Sequence, residues 1–205
     1  MKIALVANAI IENYEIIHSK LQEYDYLIAV DNGLEHLHKM KLTPSLIVGD
    51  FDSVDTHLLK QYSYVNTLKF SVDKNETDLE LAILEALKKR ATKITGFCCL
   101  GKRIDHEMAN LILLSKYTNI LNFENERETL FVKKESFSFP VKKGQTVSFF
   151  PFLSLVENIS SKGLQWNIVN KTLSENFVSI SNVCVEEKVE LNFSSGNLLM
   201  IIQLI

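Results

Sequence analysis

Leu46-Ile47-Val48-Gly49-Asp50-Phe51-Asp52-Ser53 is the stretch that decides the fold. Three apolar residues before a glycine predict a short buried strand, of the kind found in parallel sheets, and ligands collect at the carboxyl ends of such strands. If the backbone stays extended through Phe51, the carboxylates of Asp50 and Asp52 point to the same side. At about 4 Å and an effective dielectric constant of about 20, two carboxylates repel by roughly 4 kcal/mol. This predicts a hard divalent cation between them, and the alternative is a solvated acidic turn before a helix.

The composition is that of an ordinary globular protein. Of the 205 residues, 46% are hydrophobic and 23% are charged, and the formal net charge of -3 gives no reason to expect nucleic-acid binding. No apolar run approaches the roughly 20 residues of a membrane span, so we expect a soluble protein without membrane contact. The three cysteines are an odd number without zinc-site spacing, which favours the reducing cytoplasm.

The chain changes texture near residue 125. Before it, short apolar runs alternate with helix-length segments, which predicts an α/β domain with a mainly parallel sheet over 1–124. The clearest helix is predicted over 77–90, with a capping box formed by Thr77 and Glu80. After it, short segments rich in Val, Phe, Ile and Leu are separated by turn residues, which predicts an all-β sandwich or barrel over 125–205.

Acidic residues follow most of the predicted strands of the first domain. Each alone is typical of a helix cap, but in a parallel sheet these positions lie along one edge. Several carboxylates at one edge require a cation or raised pKa values, and Mg²⁺ carrying phosphates meets that requirement. The acids concerned are Asp31, Asp50, Asp52, Asp73, Asp78 and Asp105.

Two other features suit phosphate. Thr77 stands at the start of a predicted helix, where free backbone N–H groups favour anions, and the adjacent Asp78 could hold a metal that touches the same phosphate. Gly101 precedes Lys102 and Arg103 ahead of another helix, and arginine suits bidentate phosphate contact. The alternative for this second feature is a solvated basic turn, and the segment is not a P-loop.

Several motifs together resemble the thiamine pyrophosphokinase family, in the family's order and over most of the chain. Gly49 to Ser53 is similar to its G-D-[FL]-D-S signature, and Asp73 to Ala82 to its D-x-x-x-T-D-x-x-x-A segment. The remaining matches are Gly101 to His106 with G-G-R-x-D-H, Asp31-Asn32-Gly33 with a D-G-[GA] turn, 163–167 with G-L-x-[WY], and 179–182 with S-x-S-N.

The resemblance implies an enzyme that transfers the pyrophosphoryl group of ATP to the hydroxyl of thiamine, giving thiamine diphosphate and AMP with Mg²⁺. It also implies an ATP-binding catalytic domain followed by a β-sandwich that binds thiamine and dimerises, with sites at the interface of a homodimer. By the same resemblance the metal acids are Asp50, Asp52 and Asp78; the catalytic residues add Asp105 and Arg103; the ATP contacts are Asp31, Asn32, Thr77, Lys102 and Arg103; and the thiamine contacts are Trp166, Ser181 and Asn182.

The chain departs from the family pattern at the phosphate turn. Lys102 replaces the second glycine before Arg103, and Cys98 stands where a glycine is expected. His106 is interpreted as structural, the other histidines are placed on helix surfaces, and no general base is assigned. The alternatives are a related pyrophosphokinase acting on another small alcohol, such as a hydroxymethylpterin, and a non-catalytic thiamine- or nucleotide-binding protein.

Overall fold

The computed structural model describes residues 1–52, 54–71, 73 and 75–204. The chain divides into two compact units. Unit 1 comprises Met1–Leu113 and Phe123–Glu126, and unit 2 comprises Leu114–Asn122 and Arg127–Ile205. The division into domains 1–124 and 125–205 therefore stays a prediction, close to but not identical with these units.

Strands and helices alternate along the first part of the chain, as the sequence predicts. The strands are β1 (Lys2–Val6), β2 (Tyr26–Val30), β3 (Leu46–Gly49), β4 (Thr67–Lys69), β5 (Lys93–Phe97) and β6 (Leu121–Glu124). The helices are α1 (Tyr14–Leu21), α2 (Gly33–Lys39), α3 (Thr56–Gln61), α4 (Asp78–Lys88) and α5 (Ile104–Lys116). Strand β6 lies in a stretch that the sequence analysis read as the end of the domain.

The sheet of unit 1 has the order β6-β5-β1-β2-β3-β4. Strand β1 pairs in parallel with both β2 and β5, and β3 pairs in parallel with β2 and β4. Successive strands run outward from β1 to β4, and β5 then returns to the other side of β1. The order therefore reverses between β1 and β5, and the crevice outside the carboxyl ends of these two strands is the expected ligand site.

Both faces of this sheet are covered. One core contains Ala4, Val6 and Ala29 of the strands with side chains of α1, α2 and α3, such as Ile17 and Leu37. Helix α4 packs against β1, β2 and β3 through its predicted apolar stripe, of which Leu79, Ala82, Ile83 and Ala86 are buried. The predicted α/β class with a mainly parallel sheet is confirmed.

Unit 2 is a β-sandwich built from antiparallel strands. Its strands are β7 (Glu128–Lys133), β8 (Phe137–Pro140), β9 (Thr146–Pro151), β10 (Val156–Lys162), β11 (Lys171–Leu173), β12 (Ser179–Val183), β13 (Lys188–Asn192) and β14 (Leu198–Gln203). They form one layer in the order β12-β9-β14-β7 and another in the order β11-β10-β13-β8. Side chains of both layers share one core that includes Phe149, Val156, Leu191 and Met200. The predicted all-β fold of this region is confirmed.

Within the described part of the chain, no helix is both long enough and apolar enough to cross a membrane.

Candidate functional site

A cavity of about 480 Å³ opens at the carboxyl ends of the strands of unit 1, a size typical of small-ligand sites. It lies at the point of strand reversal, because both the segment after β1 and the segment after β5 line it. Its polar and charged lining residues are Asn8, Asp31, Asp50, Asp52, Thr77, Asp78, Lys102, Arg103, His106, Glu107 and Asn110.

Asp50 and Asp52 both line this cavity, but by a different geometry from the predicted one. Strand β3 ends at Gly49, and Phe51 has a left-handed φ of 63°, so the expectation of an extended chain through Phe51 is wrong. The reason is a local turn in which the backbone N–H of Asp52 donates to Oδ1 of Asp50 at 3.1 Å. Ser53, the last residue of the motif, lies outside the described residues.

Asp31 enters the cavity from the end of β2, with a left-handed φ of 48°. Its carboxylate lies against Gly49: a Cβ added at Gly49 would stand 1.9 Å from Oδ1 of Asp31 and 3.3 Å from its Cα. Glycine at position 49 is therefore required for Asp31 and the end of β3 to approach each other this closely.

Replacing Gly49 with alanine is expected to lower the free energy of unfolding by about 1–3 kcal/mol, the usual cost of overpacking. Because the shortest contact is with the Asp31 carboxylate, adding Asp31→Ala should restore part of the loss. Urea denaturation of the two single variants and the double variant measures this coupling. Strictly additive effects would show that the two residues do not compete for the same space.

Helix α4 presents its N-terminus to the cavity through Thr77 and Asp78. Thr77 is the N-cap, and its Oγ1 accepts the N–H of Glu80 at 3.2 Å, which confirms the predicted cap. The first-turn N–H groups and the helix dipole favour an anion at this end. Of the polar loop before the helix, Val72 and Lys74 lie outside the described residues.

Lys102 and Arg103 supply the positive charge of the cavity. Arg103 donates to both carboxylate oxygens of Asp105, from Nε to Oδ1 at 3.1 Å and from Nη2 to Oδ2 at 2.6 Å. This exposed pair raises the pKa of Arg103 and lowers the pKa of Asp105. Asp105 does not line the cavity with the other acids, so the structure gives it an orienting contact with Arg103, and its catalytic role stays a prediction.

The charge balance of the cavity calls for a cation. Five carboxylates line it, those of Asp31, Asp50, Asp52, Asp78 and Glu107, against two basic side chains. Among the residues that the structure describes, however, no three His, Cys, Asp or Glu side chains group closely enough to bind a metal by themselves. This fits Mg²⁺, which is usually held by one or two carboxylates together with water and substrate phosphates.

Cys98 and Cys99 also line the cavity. Cys98 has a left-handed φ of 57°, so the backbone keeps the conformation that the glycine of the family pattern would adopt freely. Burial raises the pKa of the Cys98 thiol to about 12 and the pKa of Cys99 well above its usual value. Both groups are therefore neutral thiols at physiological pH.

Thiol-reactive reagents are expected to label the folded protein slowly. All three cysteines are free and buried, and the thiolate is the reacting form. Titration with a colorimetric disulfide reagent at pH 8 should detect far less than one rapidly reacting thiol per folded chain and three after denaturation. Fast labelling of Cys98 in the folded protein would contradict this description of the cavity wall.

Several lining residues were not singled out from the sequence. Asn8 directly follows β1, so it obeys the same strand-end rule that identified the acids. Glu107 and Asn110 lie four and seven residues after Arg103, on one face of α5. Oε1 of Glu107 accepts the N–H of Gly101 at 2.8 Å, and Nδ2 of Asn110 donates to the carbonyl of Cys99 at 2.7 Å. Helical spacing from Arg103 was the signal that could have found them.

Asn32 does not line the cavity directly. Its Nδ2 donates to Oδ1 of Asn8 at 3.4 Å and to Oε2 of Glu35 at 3.0 Å. Its predicted role as an ATP contact is therefore untested, and the structure places it behind Asn8.

A separate cavity of about 460 Å³ lies within unit 2, and Trp166 forms part of its wall with 58% of its surface exposed. Asn182 is buried and fixes the backbone of Trp166, whose N–H donates to Oδ1 and whose carbonyl accepts from Nδ2, at 3.2 and 2.8 Å. Ser181 is not among the lining residues, and its N–H donates to Oγ of Ser148. The other lining side chains are mainly apolar, including Ile168, Val169, Phe177, Val178 and Ile180.

Comparison with known proteins relates both units to one family. The profile "Thiamin pyrophosphokinase, catalytic domain" matches residues 17–124, and "Thiamin pyrophosphokinase, vitamin B1 binding domain" matches residues 129–198. A thiamine pyrophosphokinase of Bacillus subtilis is 26% identical over 187 residues, 87% of each chain. Thiamine pyrophosphokinase 1 of rice is 26% identical over 172 residues, which cover 77% of this chain and 65% of the rice protein.

Solved structures agree in fold. The crystal structure of a thiamin pyrophosphokinase from Geobacillus thermodenitrificans superposes with a TM-score of 0.87 at 24% identity, covering 100% of this chain and 98% of the other. An α/β unit with a phosphate-compatible cavity, together with a β-sandwich, defines the class as a two-domain nucleotide-dependent transferase. Since the two profiles match most of its length, the chain belongs to the thiamin pyrophosphokinase family.

Proposed function

We propose that this protein is a Mg²⁺-dependent thiamine pyrophosphokinase, which transfers the pyrophosphoryl group of ATP to the thiamine hydroxyl and releases AMP and thiamine diphosphate. The observation that carries the proposal is the arrangement of Asp50, Asp52, Asp78, Thr77 and Arg103 around one cavity. Family membership supports the choice of thiamine as the acceptor.

The side chains of the cavity suit the binding and neutralisation of a polyphosphate. The N-terminus of α4 offers N–H groups to phosphate oxygens, and the hydroxyl of Thr77 keeps its hydrogen as a donor while its oxygen caps the helix. Lys102 and Arg103 place positive charge where charge develops on the transferred group. Phosphoryl transfer needs in-line positioning and charge neutralisation more than covalent help from the protein.

Asp50, Asp52 and Asp78 are the residues that would hold Mg²⁺. When bound, the ion would neutralise phosphate charge and help to orient the triphosphate. The turn that links the backbone N–H of Asp52 to Oδ1 of Asp50 keeps these two carboxylates at the cavity. Asp31, held against Gly49, adds a fourth acid that helps to shape the phosphate site.

The cavity of unit 2 suits the thiamine rings. Trp166 offers an aromatic face, and the surrounding apolar side chains exclude water from a planar ring. Asn182 acts by fixing the backbone of Trp166, while contacts of Ser181 and Asn182 with thiamine itself stay predictions.

The assembly and location are part of the same proposal. Apolar side chains exposed on unit 2, such as Trp166, Val169 and Ile180, support a homodimer with sites at the interface. The free, buried thiols agree with the reducing cytoplasm. We keep 1–124 as the ATP-binding catalytic domain and 125–205 as the thiamine-binding domain.

Product analysis by chromatography tests the proposal. Purified protein with Mg²⁺, ATP and thiamine should form AMP and thiamine diphosphate in equal amounts. AMP formed only with a hydroxymethylpterin would indicate a related pyrophosphokinase. Thiamine binding without any AMP would indicate a non-catalytic binding protein, and either of these results would overturn the assignment.

A further inference from the structure

His36 is buried in the structure, although the sequence analysis placed it on a helix surface. It lies on α2 with 8% of its surface exposed, and both ring nitrogens have partners. Nε2 is 2.9 Å from the carbonyl oxygen of Ala9, and Nδ1 is 2.8 Å from the hydroxyl oxygen of Tyr14. The side chain thus joins α2, α1 and the segment that follows β1.

The partners determine the tautomer. A carbonyl oxygen only accepts, so Nε2 of His36 carries the proton and donates to Ala9. Nδ1 then accepts the hydroxyl proton of Tyr14. Burial lowers the pKa of His36, while the Ala9 carbonyl opposes that shift, and the neutral ring is the form that both contacts require.

The segment held by His36 is the wall of the phosphate cavity. Ala7, Asn8 and Ala9 all line it, on the β1 side of the strand reversal. On the other side of this segment, the N–H of Ala9 donates to the carbonyl of Cys98 at 2.8 Å, which is itself a lining residue. His36 therefore grips the same peptide region from the helix side that β5 grips from the sheet side.

We propose that His36 is a positioning residue of the phosphate cavity, which fixes Ala9 and so presents Asn8 to the triphosphate. The inference rests on the proposed function for the identity of the ligand. The alternative is a histidine that only stabilises the packing of α1 against α2, with no effect on ligand affinity.

Helix α2 provides a matched control for that alternative. Two residues further along, Nδ1 of His38 is 3.2 Å from the hydroxyl of Tyr62, and the two rings meet edge to face. This is the same pair of side-chain types on the same helix, but it ties α2 to α3. Neither His38 nor Tyr62 lines the cavity.

The test compares His36→Leu, His36→Gln, Tyr14→Phe and His38→Leu in the full-length protein. Hydrogen exchange without ligand reports the order of residues 8–13, and calorimetry with Mg²⁺ and a non-hydrolysable ATP analogue reports affinity. His36→Leu should speed exchange at residues 8–13 and raise the Kd at least about fivefold, because loop ordering is then paid on binding. His36→Gln keeps a donor for Ala9 and should recover most of the affinity, whereas His38→Leu should change neither quantity.

Each outcome bears on one claim. Normal exchange in the folded His36→Leu variant, or faster exchange with unchanged Kd, overturns the positioning role. If His36→Leu does not fold, Tyr14→Phe decides by the same two measurements, with a smaller change in the same direction expected. An equal rise in Kd for His38→Leu would reduce His36 to general packing. Failure of the unmodified protein to bind the analogue would instead overturn the proposed function.

Discussion

Replacing Asp52 with asparagine is expected to slow the formation of AMP and thiamine diphosphate by at least about tenfold, which corresponds to about 1.4 kcal/mol of transition-state stabilisation. The same loss is expected for Asp50→Asn. Asparagine keeps a side-chain oxygen, so Asp50→Asn can still accept the N–H of Asp52 and preserve the turn, and only the charge is removed. The loss should therefore reflect weaker cation and phosphate binding and not a rearranged loop. Steady-state assays at saturating and limiting Mg²⁺ measure it.

Asp55→Asn is the matched control for these variants. Asp55 lies three residues from Asp52 but outside the cavity, where it caps α3 by accepting the N–H of His57 at 2.8 Å. Asparagine caps helices about as well as aspartate, so stability and rate should both be retained. Equal losses in Asp52→Asn and Asp55→Asn would point to a general effect of charge, and an unchanged rate in Asp52→Asn would remove this residue from the mechanism.

Replacing Trp166 with alanine is expected to weaken thiamine binding by about tenfold while leaving ATP affinity unchanged. An aromatic pair contributes roughly 0.5–1.5 kcal/mol beyond buried area, and thiamine also carries a positive charge that an indole ring attracts. Trp166→Phe should lose less, because an aromatic face remains. Calorimetric titrations with thiamine and with a non-hydrolysable ATP analogue separate the two affinities.

Trp166 also provides a direct optical signal. It is the only tryptophan in the chain, so a change in intrinsic tryptophan fluorescence on adding thiamine originates from this side chain. Tyr64→Ala is a suitable control, because Tyr64 is 72% exposed and lies outside the unit 2 cavity. Thiamine affinity that survives Trp166→Ala would place the thiamine rings elsewhere.

The order of secondary structure could be predicted because local signals and the fold agree. The cap at Thr77 and the apolar stripe of α4 appear in the structure as the spacing predicts. Alternating strands and helices placed Asp31, Asp50, Asp52 and Asp78 at the ends of parallel strands, and all four line one cavity. The rule of strand ends needs only the chain order and the direction of the strands.

Other features depend on contacts that no local pattern contains. The turn at Phe51 follows from a hydrogen bond between Asp50 and Asp52, and the position of Asp105 follows from its pairing with Arg103. His36 is buried because Ala9 and Tyr14, both distant along the chain, offer it partners. Strand β6 was missed because its four residues sit inside a charged stretch and are defined by the neighbouring β5.

The central claim is that the carboxylates of one cavity in the α/β unit bind a divalent cation together with the phosphates of ATP. Electron paramagnetic resonance of Mn²⁺ in the presence of α,β-methylene ATP measures this binding directly. The unmodified protein should bind Mn²⁺ with the nucleotide analogue, and the combined Asp50→Asn and Asp52→Asn variant should bind it at least about tenfold more weakly. Equal Mn²⁺ binding by the two proteins would contradict the account.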